Sequence, residues 1–316
     1  MGSPFISICI PTYKRPDLLK KLLDSIQMQN FRDFEVIISD NSPDDSVKEL
    51  ADPYGKMLPL FYEKNVPAVS ATTNCNNAMR RAKGSWVKVM HDDDWFQAAD
   101  ALQQFADAAL HSGKDFIFCD SNEVYLETGK IITESHEQER KKMLDESVFS
   151  LFYLNVIGHP SVVLHRKDTT LEYDPAFHWV LDIDYYMRYI NSHNGFHYIP
   201  EKLVNIGKGP GQESNRYYKN RLVEIPEYFT MLAKYSSNLV LKNIYVFHMV
   251  WNMLKRYRIK NTNDIHALGY TGVMPDKIEE IIKYQERIPG IILKQPSWSQ
   301  LFMRKCFKKI TQGLQR

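Results

Sequence analysis

Three consecutive carboxylates, Asp92, Asp93 and Asp94, follow the run Ser85-Trp86-Val87-Lys88-Val89-Met90-His91 and precede Trp95. Adjacent like charges repel, so a folded chain keeps them together when solvent or a cation offsets the repulsion. A hard divalent ion suits such a group, because magnesium takes one or two carboxylates along with substrate phosphate oxygens. An acidic turn that caps the next helix is the plainer reading of the triplet taken alone. Other residues weigh against it. Arg15 lies in Ile10-Pro11-Thr12-Tyr13-Lys14-Arg15, and Asp40 opens the turn cluster Asp40-Asn41-Ser42-Pro43; each follows a short β-branched run. Asp182 and Asp184 stand two apart in the stretch Leu181 to Arg188. On a helix, positions i and i+2 point apart, so the pair cannot face one substrate atom; Asp184 is expected to pair with Arg188 at i+4.

The elements that would position these residues follow from periodicity. Residues 5–10, 34–39, 60–63, 85–91 and 115–125 read as strands, the fourth with one face buried more than the other. Residues 17–28, 70–83 and 98–111 read as helices, the second stopped by Gly84. This alternation predicts an α/β protein with a Rossmann-like, doubly wound, mostly parallel sheet. Strand C-termini share one edge of such a sheet, where ligands bind, so Arg15, Asp40 and residues 92–94 should converge there. Further on, Thr128-Gly129 marks a hairpin, residues 148–156 and 179–189 read as helical, and 161–165 and 197–206 as strands. Gly207-Lys208-Gly209-Pro210-Gly211 reads as a mobile loop outside regular structure. From Asn220 onward the chain reads as helices. Domains are therefore expected at 1–214, carrying the α/β part, and 215–316, a helical C-terminal extension.

A net charge of +2 excludes bulk attraction to nucleic acid. The four cysteines are dispersed without a CxxC pair, which gives neither a zinc site nor a disulfide framework and favours a reducing compartment. Neither a leader pattern nor a run of 18 apolar residues is found, so a cytoplasmic location is expected. No GxGxxG follows the first strand and no GxxxxGK[ST] occurs, which removes dinucleotide and P-loop chemistry.

The order IPTYKR, ISDNS, NCNNAMRRAKGSW running into VMHDDDW, and then LDIDYYMR resembles the family 2 glycosyltransferases, which have the GT-A fold. The resemblance covers roughly the first 210 residues, the α/β part of the chain. It implies an inverting transfer of a sugar from a nucleotide sugar, a UDP-sugar above all, to a glycan hydroxyl, with Mn2+ or Mg2+ as cofactor. It implies that Pro11, Tyr13, Arg15 and Asp40 form the nucleotide pocket. Tyr13 offers a face to a pyrimidine and Asp40 can accept from a uracil N–H; packing against the next helix and an ordinary Asx turn are the competing roles.

Family members often read L-D-S-D-D-W at the triplet. Alignment on Trp95 makes Asp93 the leading metal ligand and Asp94 the second, with Asp92 near the ribose. A literal D-x-D count pairs Asp92 with Asp94 instead. His91 takes the place of the first aspartate, as an extra ligand or a hydrogen-bonded structural residue. Cys75 stands where the family frequently has arginine, so Arg80, Arg81 or Lys208 would have to supply that charge. Asp182 aligns with the catalytic base, which takes the acceptor proton; a helix cap is its alternative role. His159, Trp179 and Lys208 are candidates for donor or acceptor contacts.

After Glu286 no acidic residue occurs, while Arg287, Lys294, Arg304, Lys305, Lys308, Lys309 and Arg316 do. Written as a helix, residues 298–315 place Trp298, Leu301, Phe302, Cys306, Ile310 and Leu314 near one stripe and the cations on the other side. That pattern suits either an anionic membrane surface reached through 298–316 or a helix docked on its own domain. Many bacterial members of the family act on lipid-linked glycans in surface-polysaccharide synthesis, which implies a peripheral position at the inner face of the cell membrane. The competing function is a catalytically silent nucleotide- or glycan-binding module on the same scaffold.

Overall fold

A computed structural model of the chain describes residues 2–133, 137–212, 214–235 and 241–312. It divides into two compact units. The first comprises Met1–Lys142, Ile157–Pro175 and Asp184–Gln212, and the second Met143–Val156, Ala176–Ile183 and Glu213–Arg316.

The first unit holds a nine-stranded sheet: β1 (Ile6–Thr12), β2 (Phe34–Asp40), β3 (Leu60–Lys64), β4 (Trp86–Val89), β5 (Trp95–Phe96), β6 (Phe116–Tyr125), β7 (Ile131–Ile132), β8 (Val163–Arg166) and β9 (Phe196–Lys208). Their order is β3-β2-β1-β4-β8-β6-β9-β5, with β7 paired to β6. The β3-β2-β1-β4 half is parallel, as is β6 with β9, while β8 runs antiparallel between β4 and β6. The mostly parallel α/β architecture expected from the alternation is thus present, with an antiparallel insertion in the middle. Helices α1 (Pro16–Gln27), α2 (Ser46–Tyr54), α3 (Ala71–Arg81) and α4 (Ala101–His111) join the strands of the first half, and α5 (Glu137–Glu146) follows β7. Strands covered on both faces read as continuous apolar runs, which is why Ile6, Ile8, Cys9 and Ile10 are all fully buried. In register, Thr12 lies beside Asp40 and Cys9 beside Val89, so the chain leaves β1, β2 and β4 along one edge.

Four local expectations need correction. β4 is buried on both faces, and Lys88 is fully enclosed, with its ammonium donating to the carbonyls of Ser161 and Val163. Gly84 does not stop α3, which ends at Arg81 with Ala82 as its C-cap. A Cβ at Gly84 would stand 2.7 Å from the Ser7 amide nitrogen, so glycine is needed for close packing on β1. Gly207 and Lys208 belong to β9 rather than to a loop. Here too the reason is contact: a Cβ on Gly207 would lie 2.2 Å from the Asp93 carbonyl oxygen. Finally, α2 was not anticipated, because Pro53 and Gly55 mask a short helix whose Val47, Ala51 and Tyr54 follow helical spacing into the core.

In the second unit, residues 148–152 form a 3-10 helix rather than a longer α-helix. The rings of Phe149 and Phe152 lie 5.6 and 6.2 Å from that of Tyr235. Trp251, in the helix Ile244–Tyr257, is fully buried and donates to Ser299 Oγ at 3.1 Å. The last described helix, Pro296–Gln312, turns Ser299, Met303, Cys306 and Ile310 inward. The expected stripe is therefore corrected. Cys306 and Ile310 are core, whereas Trp298 is 54% and Leu301 42% exposed; Leu314 lies outside the described residues. Among the described residues no helix is long and apolar enough to cross a membrane.

Candidate functional site

The acidic triplet lies between the end of β4 and β5, at the edge where β1 and β2 also end. Each carboxylate has a different environment. Asp92 Oδ2 accepts from Thr12 Oγ1 at 2.8 Å and from the Tyr13 amide at 3.4 Å. Arg15 Nη1 bridges Asp92 Oδ1 (3.3 Å) and Asp93 Oδ2 (3.2 Å), while its Nη2 donates to the Gly211 carbonyl at 2.6 Å. Gln212 Nε2 donates to Asp93 Oδ2 at 3.4 Å and to the Gly207 carbonyl at 2.6 Å. Asp94 Oδ1 accepts from the Gly207 amide at 3.1 Å. The turn after β9 is thereby tied to the triplet from one side and Arg15 from the other.

Burial, and next the charge of Asp93, push the Asp92 carboxyl up to about 6. The same two causes raise Asp94 well above the usual carboxylate range. His91, Asp93 and Asp94 each offer a ligand atom, and these atoms lie within 4.8 Å of one another. Two carboxylates and an imidazole, one carboxylate buried and repelled by its neighbour, form a donor set able to hold a divalent cation. The His91 backbone is fixed by its amide, which donates to Ser161 Oγ at 2.9 Å.

The predicted nucleotide residues line the same edge in two groups. Arg15 reaches the carboxylates directly. Asp40 is fully buried one strand over, where Oδ1 accepts from the Ser42 amide at 2.7 Å and Oδ2 from Tyr62 Oη at 2.8 Å. Pro11 is the penultimate residue of β1, opposite Ser39. Tyr13, just before α1, is 53% exposed. Arg80 and Arg81 are held by Glu172 and Glu63. Lys208 stands nearer the site at the end of β9, 3.2 Å from His159 Nε2 and 3.2 Å from Glu123. Burial, then the Lys208 charge, lowers His159 to about 3, so its imidazole is neutral and can accept from the ammonium.

Asp182 and Trp179 belong to the second unit. Asp182 is in the first turn of α6 (Leu181–Ser192), and burial lifts its carboxyl to about 7. Among the described residues nothing donates a side-chain hydrogen bond to it. Asp184 pairs with Arg188 Nε at 2.8 Å, as the i+4 spacing predicts. Trp179 is half-buried, its ring 6.1 Å from that of Tyr218. Thr12, Ser161, Gly207 and Gln212 were not foreseen as parts of the site. Thr12 could have been found from its place at the end of β1. The other three carry no local signal.

Comparison with known proteins gives these groups a context. Residues 7–170 match the model of "Glycosyl transferase family 2". A GalNAc(5)-diNAcBac-PP-undecaprenol beta-1,3-glucosyltransferase of Campylobacter jejuni is 34% identical over 94 residues, 29% of this chain and 30% of that protein. An abequosyltransferase of Salmonella typhimurium is 30% identical over 155 residues, 48% of this chain and 45% of that one. The chain thus spans less than half the length of either relative. The Staphylococcus aureus protein TarS, solved as residues 1–349 with UDP-GlcNAc, superposes with a TM-score of 0.60 at 17% identity, covering 98% of this chain and 92% of that one. A mannosyltransferase of Pyrobaculum calidifontis, solved with GDP-Man and Mn2+, gives a TM-score of 0.57 at 14% identity, with 98% and 87% covered. At such identities the structures speak for the shared fold, the GT-A architecture with a helical C-terminal region. The family match spans residues 7–170 of 316 and takes in β1 through β8 with the acidic triplet, so the chain belongs to glycosyl transferase family 2.

Proposed function

We propose that this glycosyltransferase moves a sugar from a UDP-sugar to a hydroxyl of a lipid-linked glycan, with inversion, in bacterial surface-polysaccharide synthesis. The observation that carries the reading is the cluster His91, Asp93 and Asp94, backed by Arg15, at the edge where β1, β2 and β4 end. The C. jejuni and Salmonella relatives, named as glycosyl transferring enzymes, and TarS with its UDP-GlcNAc support the donor and acceptor classes.

In this reading Asp93 and Asp94 would hold Mn2+ or Mg2+, with His91 beside them. The ion, when bound, neutralises charge that builds on the leaving diphosphate. Arg15 and Lys208 add positive charge on the same side. Asp92, tied by Thr12 and Tyr13, faces the ribose and Tyr13 presents its ring to the base; Asp40, fully buried against Ser42 and Tyr62, would accept from the base N–H only after releasing Tyr62. Asp182 takes the proton of the acceptor hydroxyl as that oxygen attacks the sugar carbon. A carboxyl raised to about 7 is suited to this task, because it is both ionised and basic near neutrality. His159 and Trp179 are assigned to donor or acceptor contacts.

The test combines UDP binding with turnover. Asp182→Asn should lower transfer by about 10³-fold while UDP binds with Mn2+ as in the wild type. Asp93→Ala should weaken Mn2+-dependent UDP binding about tenfold or more. Wild-type turnover by Asp182→Asn rejects the base; metal-independent UDP binding rejects the cation site. A silent binding module would bind UDP-sugar with Mn2+ and release no UDP over time.

The outward face of the helix Pro296–Gln312 is proposed to rest on an anionic membrane, which would place the protein at the inner face of the cell membrane. Trp298 and Leu301 are exposed there beside Arg304, Lys305, Lys308 and Lys309. Apolar side chains set among cations suit the headgroup region of anionic lipid.

A further inference from the structure

Glu227 lies in the helix Arg221–Lys234, is 7% exposed, and belongs to the second unit. Among the described residues no lysine or arginine pairs with its carboxylate; its partners are backbone amides and the His178 ring. Oε1 accepts from the His178 amide at 2.9 Å, and Oε2 accepts from those of Trp179 at 2.8 Å and Val180 at 3.1 Å. His178 Nδ1 is also 3.2 Å from Oε1. Three consecutive N–H groups therefore converge on one carboxylate immediately before α6. The first amides of a helix and those just ahead of it have no intrahelical acceptor, and a negative charge there is favoured by the helix dipole. Charge-assisted bonds of this kind are about twice as strong as neutral ones.

Asp182 follows Val180 by two residues, in the first turn of the same helix. Its own side chain receives no hydrogen bond from a described residue, so its direction is set by the backbone that carries it. Packing on the same segment adds a second restraint: Phe177 is fully buried, with Lys234 Nζ 4.3 Å from its ring centroid. Lys234 closes the helix that bears Glu227, so both restraints on residues 177–180 come from one element.

We infer that Glu227 is a positioning residue for Asp182, clamping residues 178–180 so that the entry to α6, and with it the Asp182 carboxylate, keeps one orientation. This rests on the reading of Asp182 as the base. A misplacement of about 1 Å in a reacting group can cost about 10²-fold in rate. Glu227→Gln puts an amide NH2 where one of the two accepting oxygens was, so at least one of the backbone amides loses its acceptor. Glu227→Asp keeps the charge on a shorter arm.

The experiment measures kcat, KM for the donor, Mn2+-dependent UDP binding and amide exchange on the full chain. For Glu227→Gln, kcat should fall about 10²-fold, with donor KM and UDP binding unchanged and faster exchange confined to residues 178–180. Glu227→Asp should recover part of the rate. Combining Glu227→Gln with Asp182→Asn should slow the reaction no further than Asp182→Asn alone, since one acts through the other. Wild-type kcat in Glu227→Gln, with Asp182→Asn inactive, overturns the positioning role and leaves the base intact. Full turnover by Asp182→Asn removes the base itself, whatever Glu227 does. Faster exchange throughout Arg221–Lys234, with UDP binding lost in both Glu227 variants, would make Glu227 a fold support only and also overturn the inference.

Discussion

Asp182 and Asp184 show how two identical side chains in one turn of α6 acquire opposite characters. Asp184 is fully buried but spends its charge on Arg188. Asp182 has no such partner, and burial raises it to about 7. If it is the base, kcat should climb about tenfold per pH unit below pH ~7 and level off above it. A rate independent of pH across that range would remove Asp182 from the role. Stability moves the other way. A carboxyl whose folded value is raised favours the protonated fold, so its contribution is complete below the unfolded value and is lost as pH rises through about 7. Asp182→Asn carries no charge to desolvate. It should be more stable than wild type above that pH by about 2 kcal/mol, allowing for a residue that is only half-buried, and no more stable in acid. Paired thermal melts at the two ends of the range would show it.

At the scale of elements, the site depends on β9 being pressed against the turn that carries the triplet. Gly207 donates its amide to Asp94 and leaves no room for a methyl group beside the Asp93 carbonyl. Gly207→Ala should therefore cost about 2 kcal/mol of stability and weaken Mn2+ binding as the two strands separate. Unchanged melting and Mn2+ affinity would show that the contact is slack. Arg15, Asp40 and the triplet were legible from sequence because parallel strand order alone brings strand ends to one edge, without any side chain needing to be known. Gly207 was not, since glycine reads as freedom when seen in a string and as close approach only once the opposing strand is in place. The one-sided burial expected of β4 failed at Lys88 for a related reason. A lysine in a strand reads as a solvent-facing position, yet its ammonium is enclosed and pins the Ser161 carbonyl, while the Ser161 hydroxyl holds the His91 amide. Burial lowers that lysine to about 8. The Glu227 clamp was invisible because a carboxylate that meets backbone amides imposes no pattern on the residues it meets.

At the scale of the molecule, the proposed membrane face can be separated from the core of its own helix. Met303, Cys306 and Ile310 point inward, so deleting the helix would strip a packed surface and reveal nothing about lipid. Point changes on the outer face avoid this. Lys305→Gln with Lys308→Gln should weaken binding to phosphatidylglycerol-containing vesicles roughly thirtyfold, taking about 1 kcal/mol for each cation. Trp298→Ser with Leu301→Ser should weaken it too, and added salt should reduce binding by the wild type. Vesicles of pure phosphatidylcholine serve as the control. Equal binding to both vesicle types would reject an anionic surface as the partner, and binding untouched by the Trp298 and Leu301 changes would reject this face as the contact.

The interleaving of the two units bears on how the enzyme can be handled. A chain cut after Gln212 would keep Met143–Val156 and Ala176–Ile183 but discard Tyr235, Lys234 and Glu227, the residues on which Phe149, Phe177 and the amides of 178–180 rest. What looks like a removable tail is thus the footing of the segment that presents Asp182. Modular swaps between relatives, exchanging the α/β part of one for the helical part of another, would have to carry residues 143–156 and 176–183 along with the helices. Recombination at a single junction would yield a hybrid with its acidic triplet in place and its base adrift.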